Sequence, residues 1–96
     1  MPVEIDALDH LVVNVTDAEK SAAWYGRVLG MKRSDFDPGQ GQPKRIAMVF
    51  GVQKINLRPV STSKSAWFTA DHEAAGSDDL CFLTTASAQQ VVDHLN

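Results

Sequence analysis

The sequence predicts one small α+β domain, ordered strand–helix–strand–strand–strand and followed by a loop and a further strand–helix pair. Three observations carry this expectation. Residues 7–15 (ALDHLVVNV) alternate in the two-residue period of a strand, and a capped amphipathic stretch follows and closes at Gly30. Residues 45–50 and 53–60 are then two β-rich runs separated by a two-residue turn, Gly51-Val52. A chain of 96 residues suits a single domain with one thin core rather than two domains or a deep enclosed site.

The first strand should place Leu8, His10, Val12 and Asn14 on one face and Asp9, Leu11, Val13 and Val15 on the other. Thr16-Asp17-Ala18-Glu19 matches a capping box, with Thr16 capping the following amides and Glu19 reaching back to the Thr16 amide. The helix then runs to Leu29, with Ala22, Tyr25, Val28 and Leu29 as its buried stripe, and Gly30 supplies the left-handed residue that ends it. Residues 31–36 read as a second strand, and the Gly- and Pro-rich segment 37–43 reads as a loop. Residues 45–50 and 53–60 are the third and fourth strands, the last stopped by Pro59, which has no amide to donate. Residues 61–77 are polar and irregular, with Trp67 and Phe68 as expected anchors. Residues 80–84 read as a fifth strand, and Ser87 caps a final helix whose apolar stripe is Val91, Val92 and Leu95. The recurring strand–helix pair is consistent with the opening of a second copy of the first module.

Composition excludes several function classes. At 44% hydrophobic and 22% charged the chain is ordinary for a globular protein. Its net charge of −3 and scattered Lys and Arg offer no basic stripe for nucleic acid. No apolar run approaches the ~20 residues of a membrane helix. The start Met1-Pro2-Val3-Glu4 has no secretory pattern, so a cytoplasmic location is expected. Cys81 is the single cysteine, which rules out an intrachain disulfide, and its apolar neighbours suggest a buried, inert thiol. No Ser-His-Asp set, P-loop or dinucleotide-binding glycine pattern is present.

Leu8-Asp9-His10-Leu11-Val12-Val13, followed by a capped helix ending Trp24-Tyr25-Gly26-Arg27-Val28-Leu29-Gly30-Met31, resembles the vicinal oxygen chelate superfamily of glyoxalases, bleomycin resistance proteins and extradiol dioxygenases. Lys54-Ile55-Asn56-Leu57 and Gly76-Ser77-Asp78-Asp79-Leu80-Cys81-Phe82 extend the resemblance over most of the chain. It implies paired βαβββ modules whose curved sheets enclose a cup, in which a divalent metal such as Zn, Ni, Fe or Mn is chelated by neighbouring substrate oxygens. On that basis the chain is expected to be one glyoxalase/dioxygenase-like domain over residues 1–96: a βαβββ module plus the βα start of a second, truncated one. The strand on which the family commonly carries a glutamate ligand would lie beyond Asn96.

The resemblance places His10 at the family's first-strand histidine ligand, whereas the residues alone allow a half-buried histidine bonded to a backbone carbonyl. Asp79 falls where a second ligand is often found, but Ser77-Asp78-Asp79 reads more simply as a solvated turn. Asn56 and Arg58 share a strand face by alternation. If that face lines the cup, Arg58 is a candidate anchor for a substrate carboxylate or phosphate, its alternative being a charge that protects a sheet edge. His72 lies in a charged turn, His94 suits the end of the last helix, and Trp24 and Tyr25 read as packing residues. The expected function is action on a small oxygen-chelating molecule through a divalent metal, as a lyase or isomerase of glyoxalase type or a ring-cleaving dioxygenase. The alternatives are a metal-free small-molecule binder and an inactive, self-associating family member; a homodimer is expected in either case.

Overall fold

The protein is described here by a computed structural model that covers residues 3–96; Met1 and Pro2, where the expected absence of a leader begins, lie outside the described residues. The element order is β1 (Leu11–Val15), α1 (Ala18–Leu29), β2 (Lys32–Phe36), β3 (Arg45–Phe50), β4 (Gln53–Pro59) and α2 (Ala88–Leu95). The four strands form one mixed sheet in the order β1-β4-β3-β2. β3–β4 is antiparallel across the two-residue turn Gly51-Val52 and β2–β3 antiparallel across the loop 37–44, while β1 reaches the far side of β4 and pairs with it in parallel. This is a βαβββ module.

Alternation then separates two faces. Val13, Val15, Ile46, Met48, Ile55 and Leu57 point toward α1 and form the core with Ala22 and Met31. Ile55 and Leu57 on β4 are each 1% exposed because that strand has a neighbour on both sides and a helix above it. Removing such a side chain from water stabilises the fold by about 2–3 kcal/mol. The opposite face carries Asn14, Asn56 and Arg58, and it is this face that the candidate site occupies.

Both ends of α1 differ in detail from expectation or confirm it. The N-cap is Asp17 rather than Thr16: its backbone is extended and its carboxylate accepts from the Lys20 amide at 3.1 Å. Glu19 is turned away from the cap and grips Arg33 of β2 instead. At the other end Gly30 adopts φ 68°, and the amides of Gly30 and Met31 bond back to Gly26 and Tyr25. In α2, Ser87 and Gln90 form the reciprocal capping box.

Residues 80–84 are not a strand. They lie beside the sheet, with Phe82 against Phe50, but form no ladder, leaving Leu83 fully exposed and Cys81 at the surface. The expected buried thiol is therefore corrected: a strand buries its side chains only when a covering layer packs on it, and the described residues supply none. Phe68 is likewise 79% exposed and anchors nothing, whereas Trp67 does. No helix among the described residues is long and apolar enough to cross a membrane.

Candidate functional site

The parallel ladder between β1 and β4 sets Val12 beside Asn56 and Asn14 beside Arg58. The antiparallel ladder sets Ala47 on the other flank of Asn56. These residues share the face away from α1, as their positions in the alternation require. Residues 61–69 fold across one end of this face. The fold-back begins where the Val60 amide bonds to Val15 and the Thr62 amide to Pro59, at 2.8 and 2.9 Å.

Arg58 holds that segment down. Its side chain is wholly buried, with Nη2 donating to the Thr62 carbonyl (2.6 Å), Nη1 to Asn14 Oδ1 (2.8 Å) and Nε to the Trp67 carbonyl (3.1 Å). Asn14 passes the connection on, donating to Thr69 Oγ1 at 3.2 Å. A buried guanidinium is tolerated here because three oxygens meet its fork. Beside it, the Arg45 guanidinium lies 4.0 Å from the Trp67 ring centroid and donates to the Ala66 carbonyl at 3.1 Å. Asn56 contrasts with both: it is buried, and its Oδ1 has no hydrogen-bond partner among the described residues.

His10 lies just before β1 and opens onto a cleft of about 170 Å³ shared with Asp9, Lys54, Leu80 and Cys81. Its Nδ1 donates to Asp9 Oδ2 at 2.7 Å, which fixes the ring and leaves Nε2 without a bond to the described protein. Chiefly through the hydrogen bond from His10, the Asp9 carboxyl is held below the usual carboxylate range. A carboxylate behind one ring nitrogen is the arrangement that orients a metal-binding imidazole.

The other candidates lie apart. Asp79 is exposed and does not line the His10 cleft, while its neighbour Asp78 lies close enough to Tyr25 to add to the rise that burial gives the tyrosine hydroxyl. His72 is exposed in the segment pinned by the Lys64–Glu73 ion pair at 2.9 Å. His94 Nε2 donates at 2.7 Å to the Val28 carbonyl, so it caps α1 rather than its own helix. Sequence reasoning picked out Trp67 as an anchor but missed Asp9, Asn14 and Thr62 as partners in the site. Asn14 was within reach, since alternation already placed it on the face of His10. The others act through tertiary contacts that no local pattern encodes.

As a metal centre, this donor set is incomplete. His10 offers one imidazole, correctly buttressed, but no group of three His, Cys, Asp or Glu side chains converges among the described residues. Catalytic sites usually take three protein ligands. The described residues therefore supply His10 as a single candidate ligand and no complete set.

The pattern of the glyoxalase/bleomycin resistance protein/dioxygenase superfamily matches residues 7–77. Over 91 residues the chain is 35% identical to virulence protein STM3117 of Salmonella typhimurium, covering 95% of this chain and 58% of that protein. It is 39% identical over 93 residues to glyoxalase domain-containing protein RDO1 of Mycosarcoma maydis, covering 97% of this chain and 48% of the relative. The chain thus spans about half the length of these curated relatives. Among solved structures, integron cassette protein VCH_CASS1 of V. cholerae superposes with a TM-score of 0.84 at 37% identity, over 99% of this chain and 69% of that one. The crystal structure of the Salmonella virulence protein superposes with a TM-score of 0.76 at 33% identity, over 97% and 68%. With the βαβββ topology and the first-strand motif both in place, the chain belongs to the glyoxalase/bleomycin resistance protein/dioxygenase superfamily.

Proposed function

We propose that this chain is a small-molecule-binding module that engages an oxygen-chelating ligand through a divalent metal, with His10 as its own contribution to the ligand set. The observation that supports this reading is the Asp9–His10 pair, which presents a free Nε2 on an imidazole of fixed orientation. The remaining donors come from a second module, supplied by a homodimer partner, and Asp79 joins them when residues 80–84 are drawn into a sheet. Asn56 offers its unpartnered carbonyl to a donor on the ligand, and Arg58 meets an anionic group when the segment above it lifts. A bound metal supplies Lewis-acid polarisation of two neighbouring oxygens. Lyase, isomerase or ring-cleaving turnover belongs to this proposal only with the full ligand set assembled.

Calorimetric titration with Ni²⁺, paired with NMR of the histidine rings, tests it. The expected result is a heat of binding that disappears in His10→Ala, with the His10 ring signals broadening before those of His72 and His94. A His10→Ala protein that takes up Ni²⁺ as well as the wild type sinks the metal reading. The metal-free binder is favoured by a separate observation, the lack of three converging donors among the described residues. It predicts ligand uptake unchanged by EDTA, whereas the metal reading predicts uptake that is lost with EDTA and restored by metal.

A further inference from the structure

A second concavity opens at the end of the sheet, beside the start of α1, and shares no lining residue with the His10 cleft. Its volume is about 590 Å³, within the range of sites that enclose small organic molecules. Ile46, Leu57 and Pro59 form an apolar floor, and the Trp67 indole forms one wall with Arg45 against its ring. Lys20 and Lys44 complete the rim.

Two carboxylates, Asp17 and Glu19, line the concavity along with these cations. Arg33 takes Glu19 with two hydrogen bonds of 2.6 and 3.0 Å and Asp35 with two of 2.7 and 3.1 Å. Asp17 accepts from the Lys20 amide, which orients its carboxylate without removing its charge. Lys20, Lys44 and Arg45 nevertheless outnumber the two carboxylates, so the concavity keeps an excess of one positive charge in a chain of net charge −3. An apolar floor, a flat indole wall and cations at the mouth suit a flat apolar body with an anionic end.

We propose that this concavity is a binding site for a one- or two-ring aromatic carboxylate or sulfonate, independent of the His10 site. The ring system lies on the floor against Trp67, and the anionic group meets Lys20, Lys44 and the free donors of Arg45. Screening by salt weakens the exposed charge contacts while leaving ring burial in place.

The probe is naphthalene-2-sulfonate, titrated into the full chain carrying Trp24→Phe so that Trp67 is the fluorophore; the two indole N–H signals of the wild type give the same readout if that variant does not fold. The site predicts saturable quenching at one ligand per chain. Neutral 2-naphthalenemethanol should bind at least about tenfold more weakly, and the double variant K20Q/K44Q should lose about tenfold in affinity with unchanged circular dichroism. His10→Ala should bind the probe as the wild type does. Equal affinity for the neutral alcohol, unaltered binding by K20Q/K44Q, or loss of binding in His10→Ala would each overturn the proposal.

Discussion

At Arg58 a single side chain joins β4, β1 and the segment that crosses them, through bonds to Thr62, Asn14 and Trp67. Truncating it strands two carbonyls and one side-chain amide oxygen where water has little access. Arg58→Ala should therefore lower the unfolding free energy by about 3 kcal/mol in urea titration, far more than a surface charge would. The Nδ1 of His10 is fixed just as specifically, but its partner is the preceding residue and the pair is exposed, so its importance lies in orientation. Alternation was enough to put Asn56 and Arg58 on one face. It did not indicate that Arg58 would be buried under residues 61–69, because that depends on a chain reversal whose bonds run between distant residues.

Among the elements, α1 and β2 are held together on their exposed sides by Arg33, which grips Glu19 of the helix and Asp35 of its own strand. The hydrogen bonds from Arg33 are the leading cause that lowers both carboxyl pKa values from their ordinary 4.5 and 3.8. Groups whose folded pKa is depressed contribute stability above their unfolded values, and that contribution is lost as pH falls through the folded ones. The stability difference between the wild type and Arg33→Gln should thus be full at neutral pH and shrink on acidification below 4.5, as urea titrations at a series of pH values would show. A gap that stays constant into strong acid would contradict this pairing, and added salt should narrow it, since all three side chains are solvent-accessible. The helix ends show the limit of local signals. Thr16-Asp17-Ala18-Glu19 announces a helix start, but Asp17 is the cap and Glu19 pairs with Arg33 of β2.

For the whole molecule the two sheet edges are unlike. β2 is guarded by Lys32, Arg33 and Asp35, whereas β1 is Leu-Val-Val-Asn-Val, an apolar strand met on its outer side, among the described residues, by a 3.4 Å bond from the Gly76 amide to Asn14. Unprotected edges of that kind pair with other chains. Leu83, Val92 and Leu95, in the last fourteen residues, add exposed apolar surface. Light scattering should accordingly give the mass of a dimer, twice 10.5 kDa, and a charge placed on β1 by Val12→Lys should shift the population toward monomer. A monomer at every concentration would remove the second module from which the proposed metal site draws its remaining donors.

The sequence by itself determined the family, the βαβββ order, the bounds of β3 and the end of α1, because alternation, capping and a left-handed glycine act over a few residues. It also singled out His10 and set Asn56 and Arg58 on a common face. Only the tertiary structure decided that Arg58 serves as the fastening of residues 61–69, that Asp79 stands apart from His10, and that residues 80–84 lie exposed without a sheet partner. The reason is the same in each case. Which oxygen meets a guanidinium, and which strand finds an edge, depends on groups brought together across the fold, and the free energy of those meetings is absent from any local window of sequence.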